Sequence, residues 1–133
     1  MSMTPTDLDL ARRWAASPLF KWRPGMRGVV PGHDGWAHRT DVGKTRGLAP
    51  WYVLGDCPFM DDSDMLPDLS DPMTRLALLL DVREAWGDEF INCAAGPGNW
   101  VVLTVDCGEI GMENTETEAL VAALEAAPSP EPR

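Results

Sequence analysis

What this sequence lacks excludes several classes of protein. Its three cysteines, Cys57, Cys93 and Cys107, are odd in number and widely spaced, with no CxxC. That argues against a disulfide framework or a zinc ribbon and predicts reduced, mostly buried thiols. No apolar run approaches the roughly 20 residues needed to cross a bilayer, and the first residues lack a basic region followed by an apolar one, so a cytoplasmic setting without export is expected. There is no GxSxG, HExxH or Cys–His signature, so the sequence gives no support for an enzyme. At 133 residues the chain suits one domain with one modest core, over 1–127, followed by a disordered Pro-rich tail over 128–133.

Bases are the other scarcity, and they are unevenly placed. The formal charge is −10, yet residues 1–55 hold eight Lys/Arg against four Asp/Glu, while 56–132 hold two against seventeen. A field of that size disfavours DNA and anionic membrane on the acidic side and favours a basic partner, or it serves only solubility. The partner-binding surface expected is that of the acidic stretches 56–89 and 106–118, with Asp61, Asp62, Asp64, Asp68 and Glu84 as its named positions.

What is present reads as a mixed chain. Leu66 to Gly87 is the segment most clearly a buried helix, with Asp71 at the N-cap, Pro72 at the first helical position and Gly87 as a left-handed C-cap. At 100° per residue Met73, Leu76, Leu79, Leu80, Val82 and Trp86 span over half the circumference, leaving Thr74, Asp81 and Glu84 as the polar edge. Arg75 and Arg83 fall inside the apolar arc, with stems expected along it and heads reaching water or Asp71.

Thr4-Pro5-Thr6-Asp7 predicts a helix start running to about Ala16, with Leu10 and Trp14 on one face and Ser17-Pro18 as the stop. Val29-Val30 and Trp36–Arg39 flank Pro31-Gly32-His33-Asp34-Gly35 and predict a hairpin, followed by a polar loop from Thr40 and a short apolar run at Trp51–Leu54. Asp56 to Asp68 predicts an exposed loop. Phe90–Ala95 and Trp100–Val105 around Gly96-Pro97-Gly98-Asn99 predict a second hairpin, apolar on both faces, with Ile110 and Met112 in an added edge strand. Thr115 and Glu118 form a capping box opening a helix to about Ala127. The fold class expected is α+β, a single domain with an antiparallel sheet carrying helices on both faces.

The blocks LPDLSDPMTRLALLLDVREAWG at 66–87 and TETEALVAALEAAP at 115–128, in the order helix, sheet arms, helix, hairpin, helix, resemble small uncharacterised proteins encoded by phages and prophages, of the phage α-β-α sandwich type. The resemblance implies that layered fold, a bacterial host cytoplasm and no carried-over catalytic residues.

Several motifs are candidates for chemistry. Gly43-Lys44-Thr45 has the end of a P-loop, but the first glycine would fall at His38. His33 and His38 with the cysteines supply zinc donors without zinc spacing. An EF-hand begun at Asp62 would place Pro67 sixth and Met73 twelfth. No metal and no cofactor is therefore predicted. The remaining anomaly is a basic, Trp-rich segment over 20–52, in which Arg23, Arg27, Trp36 and Arg39 could hold a nucleotide or other anionic ligand. Alternatively these bases meet the protein's own acids and the indoles pack in the core. The readings carried forward are a non-catalytic binder of a basic host protein, including nucleic-acid-handling or defence complexes; a small-molecule binding module; and a self-associating structural component.

Overall fold

The structure is a computed structural model that describes residues 3–40, 51–58 and 62–128. Three helices and seven strands are present among them: α1 (Pro5–Ala15), β1 (Arg27–Val29), β2 (Trp36–Arg39), β3 (Trp51–Leu54), a 3-10 turn at Asp62–Asp64, β4 (Leu66–Pro67), α2 (Pro72–Trp86), β5 (Asn92–Gly96), β6 (Asn99–Leu103), β7 (Glu109–Glu113) and α3 (Glu116–Glu125). The α+β class holds, but the strands form two antiparallel sheets rather than one, ordered β3-β2-β1-β4 and β5-β6-β7. The chain divides into two compact units, Met1–Ala15 with Lys21–Ala77, and Ala16–Phe20 with Leu78–Arg133. No helix of the described residues is long and apolar enough to cross a membrane.

In the first unit α1 starts as its sequence dictates, with the Thr4 hydroxyl accepting the Asp7 N–H at 3.1 Å. Its buried stripe is Leu10, Ala11 and Trp14. The predicted hairpin forms, pairing Arg27 with His38 and Gly28 with Ala37. β3 extends it on one side, pairing Tyr52 with His38 and Trp51 with Arg39. Because side chains alternate along a strand, Arg27, Trp36, His38 and Tyr52 share one face, and Ala37, Arg39 and Trp51 the other. The second face is the core side: Ala37, Trp51, Cys57 and Met65 are buried there, with Trp22 and Val30 packed against them.

The loop expected over Asp56–Asp68 is not wholly exposed. Met65 is buried, Leu66-Pro67 pairs with β1, and Asp68 is 2% exposed. The cause is the pairing of β4 with Gly28 and Val29, which draws the end of this acidic segment inward.

α2 begins at Asp71, whose carboxylate accepts the Thr74 N–H at 3.0 Å, and ends on Gly87 at φ +65°. The Gly87 N–H donates to Glu84 O and the Asp88 N–H to Arg83 O, the paired bonds of a Schellman cap. Its buried face differs from expectation. Thr74 and Asp81, assigned to a polar edge, are buried with Ala77, Leu78 and Val82, whereas Met73 and Leu76 are about half exposed, at 53% and 46%. A helix apolar nearly all round has no strong phase, so specific hydrogen bonds decide which side turns inward. The Thr74 hydroxyl donates to Asp71 and accepts the Arg27 backbone N–H, each at 2.8 Å. Arg75 donates to Leu69 O and Arg83 to Ile91 O, so Arg75 answers a backbone carbonyl rather than pairing with Asp71.

In the second unit the hairpin turns at Pro97-Gly98 and pairs Cys93 with Val102 and Ala94 with Val101. β7 adds at the edge, as predicted, pairing Met112 with Val101 and Gly111 with Val102. α3 packs on all three strands, burying Ala119, Leu120, Val121, Ala123 and Leu124. Val102 is fully buried, a contribution of about 1.5–3 kcal/mol for a side chain of this kind. Gly111 permits the close approach of α3: a Cβ there would lie 2.5 Å from Ala119 O and 3.0 Å from the Ala123 methyl. Thr115 caps α3, accepting the Glu118 N–H at 3.2 Å while its hydroxyl donates to the Glu118 carboxylate at 2.9 Å.

Candidate functional site

The first unit contains a cleft of about 360 Å3 lined by Met3 and Leu8, by Val29 to Trp36, and by Asp68. The first hairpin shapes it. Its connecting turn is closed by the His33 N–H donating to Val30 O at 3.1 Å and by the Gly35 N–H donating to Asp56 O at 2.8 Å. Only glycine fits at 35, because a Cβ would collide with the Asp56 backbone. His33 Nδ1 lies 2.8 Å from the Asp56 carboxylate; the pair is exposed enough that its direct contribution is roughly 0.2–1 kcal/mol. Asp56 thus holds the turn through both its backbone and its side chain.

Behind the cleft sits a buried ionic network. Asp68 accepts from Arg27 Nε at 2.8 Å through one oxygen, and from the Ser70 N–H and hydroxyl at 3.0 and 2.6 Å through the other. The Arg27 guanidinium also lies 3.9 Å from the Asp71 carboxylate and 5.1 Å from the centre of the Trp36 ring. Both Asp68 oxygens thus accept hydrogen bonds, which is what allows a carboxylate to be buried.

The described residues singled out by sequence do not converge on one site. Of Arg23, Arg27, Trp36 and Arg39, only Trp36 lines the cleft. Arg27 shares its face with Trp36 but is held by the protein's own acids. Arg39 is on the opposite face, 5.2 Å over Trp51, and Trp51 meets Trp22 edge to face at 4.8 Å in the core. The Arg23 backbone N–H donates to the Met26 sulfur at 3.0 Å. Among the acidic positions, Asp68 is buried and cannot belong to an accessible surface; its capture by Arg27 and Ser70 is the reason. Asp64 and Glu84 are exposed, in the first and second units respectively. Asp61 and the side chain of Asp62 lie outside the described residues, as do Gly43-Lys44-Thr45 and the tail from Ser129.

Among the described residues no three His, Cys, Asp or Glu side chains gather as a metal site. His33 is paired with Asp56, and His38 packs edge to face on Trp36 at 4.7 Å. The thiols are not uniformly buried, since Cys107 is exposed. Burial, more than the effect of Asp56, pushes the Cys57 thiol up despite an opposing backbone hydrogen bond from Val30. Burial foremost, with Glu116 adding to it, pushes the Cys93 thiol up to about 11. Both are poor thiolate nucleophiles at neutral pH.

The division into units also redistributes charge. The first unit holds nine Lys/Arg and ten Asp/Glu; the second holds two and eleven. The second unit's sheet has a face opposite the one carrying Val102, and across it run Ala94, Val101 and Met112 in one paired row. Ala94 is exposed and Met112 is 51% exposed, with Phe90 and Val105 exposed beyond the strand ends. Glu84, Glu89, Asp106, Glu109, Glu113 and Glu125 are exposed on the same unit. The sequence reading found neither this apolar row nor the cleft residues Met3, Leu8, Val29 and Asp34. The PGHDG turn was the available signal for the cleft, and the two-faced apolar pattern of 100–105 was the signal for the row.

No protein-family model, no curated protein and no solved structure matches the chain.

Proposed function

We propose that the protein is a non-catalytic binding protein whose second unit engages a basic partner protein. The observation that carries this reading is the paired row of exposed Ala94, half-buried Val101 and exposed Met112 on a unit with eleven acidic residues against two basic ones. An apolar centre with charged surroundings is the usual anatomy of a protein interface, with the centre supplying affinity and the charges steering encounter. This surface keeps Glu84 and the 106–118 stretch of the one expected from sequence and leaves out Asp64 and Asp68, which belong to a unit whose charges nearly balance. The resemblance to phage and prophage proteins makes the partner a bacterial host protein with a basic surface, nucleic-acid-handling and defence complexes included. Cytoplasmic location and the phage α-β-α sandwich layering belong to the same proposal.

A labelled amphipathic peptide with Leu on one face and Arg on the other is the test ligand, followed by fluorescence anisotropy. Saturable, salt-sensitive binding is expected, lost in Met112→Asp and retained in Asp64→Lys. Equal weakening by the two substitutions would transfer the surface to the first unit, and failure of the peptide to bind at low salt would remove the reading altogether.

A further inference from the structure

We infer that the cleft beside the first hairpin is a binding site for a small organic cation with an apolar body, an aryl-alkyl amine being the simplest case. This inference stands on the cleft alone and is independent of the partner surface on the second unit.

The volume, about 360 Å3, is at the low end of ligand pockets, which run from roughly 300 to 1,000 Å3. Its apolar walls are Met3, Leu8, Val29, Val30 and the indole of Trp36. Its ionisable lining is His33, Asp34 and Asp68, with no Lys or Arg among the lining residues. Two of these are already engaged, Asp68 with Arg27 and His33 with Asp56. Asp34 is exposed, and among the described residues it has no hydrogen bond or ion pair. The cleft therefore offers one carboxylate without a protein partner among the described residues, set beside apolar walls, and no Lys or Arg in its lining to compensate an anion.

The Trp36 ring already carries the Arg27 guanidinium at 5.1 Å and His38 edge to face at 4.7 Å, so the indole serves the cleft as an apolar wall and the attraction for positive charge comes from Asp34. The field of a chain with formal charge −10 draws cations and repels anions over a longer range. The turn is also held before any ligand arrives, by Gly35 and His33 against Asp56, so little ordering cost accompanies binding. An anionic ligand, the class suggested by counting arginines in 20–52, would meet carboxylates here instead.

Phenethylamine, 2-phenylethanol and 3-phenylpropionate form a cationic, neutral and anionic series of similar shape. Titrated into the full chain and followed by 1H–15N NMR, the amine is expected to give saturable shifts at Leu8, at the amides of Val29 to Trp36 and at the Trp36 indole N–H. The alcohol should bind about fivefold more weakly and the carboxylate more weakly still. Asp34→Asn, an exposed substitution that leaves the turn's hydrogen bonds in place, should weaken the amine about threefold without affecting the alcohol. Equal affinity across the three compounds would overturn the inference, as would amine affinity unchanged in Asp34→Asn. Shifts centred outside these residues, or no saturable shift with the amine at millimolar concentration, would overturn it too.

Discussion

The two units solve the problem of acidic charge in opposite ways. The first folds acids onto a base, β4 and the start of α2 bringing Asp68 and Asp71 to Arg27, and its nine basic and ten acidic residues nearly cancel. The second buries Asp81 but leaves Glu84, Glu89, Asp106, Glu109, Glu113 and Glu125 exposed, and is held by strand and helix packing around Val102, Gly111 and α3. The bipolar charge of the linear sequence is therefore not the bipolarity of the molecule. A boundary drawn near residue 55 separates bases from acids, whereas the fold returns residues 56–77 to the basic segment. Charge counted along a chain locates a surface only after pairing has removed the acids that the core consumes.

If this contrast is right, the largest effect comes from breaking the network of the first unit. Asp68→Ala leaves Arg27, 22% exposed on its side chain, beside a vacated site, and it orphans the Ser70 contacts. Loss of one partner of a buried pair costs about 3 kcal/mol or more. Urea unfolding should register it, with faster amide exchange confined to residues 3–40 and 65–77. Exchange that accelerates equally in the second unit would show that the two units unfold together. The matching test there is Gly111→Ala, whose added methyl meets Ala119 O and Ala123; overpacking of this sort costs about 2 kcal/mol, read as faster exchange in α3 and β5 to β7.

A smaller effect follows pH and is carried in the second unit by Cys93. Cys93, with its thiol held up near 11, keeps its proton in the folded state above the ordinary thiol value of 9.0. The folded protein then binds more protons than the unfolded chain between those values, so this stabilising contribution is present below pH 9 and is lost as pH rises toward 11. Cys93→Ala should flatten that alkaline slope in denaturation midpoints measured from pH 8 to 10.5. A slope unchanged by the substitution would assign it to other groups.

Legibility in the sequence followed the range of the interactions concerned. Thr4, Asp71, Gly87 and Thr115 specify helix ends through bonds spanning a few residues, and all four act as read. Both hairpins were visible because turn glycines and strand residues are adjacent in the chain. The inward face of α2 was not, since Leu76 and Leu78 are equally apolar and only the distant Arg27 N–H and the Thr74 hydroxyl decide the phase. The division into two sheets and the burial of Asp68 depend on pairings between β1 and β4, about forty residues apart. The cleft shares that dependence, for Met3 and Leu8 meet the hairpin only in three dimensions.

The smallest test concerns one backbone position of the second unit. Cys107 is exposed and sits at φ +64° in the connection from β6 to β7, where its N–H donates to Thr104 O and the Gly108 N–H donates to the Thr104 hydroxyl. A left-handed conformation costs a residue with a Cβ roughly 1–2 kcal/mol, and glycine escapes that cost while losing about 0.5–1 kcal/mol through its freer unfolded chain. Cys107→Gly should therefore gain about 0.5 kcal/mol, a rise of about 1–4 °C in Tm, while Cys107→Ala should gain nothing. The same substitution removes the one fully accessible thiol among the three, so native alkylation at pH 7.5 should fall from one equivalent to almost none, Cys57 being buried and Cys93 protonated. If alanine stabilised as well as glycine, the connection would be relaxed, and the strain that sets this loop apart from the hydrogen-bonded turn of the first unit would be absent.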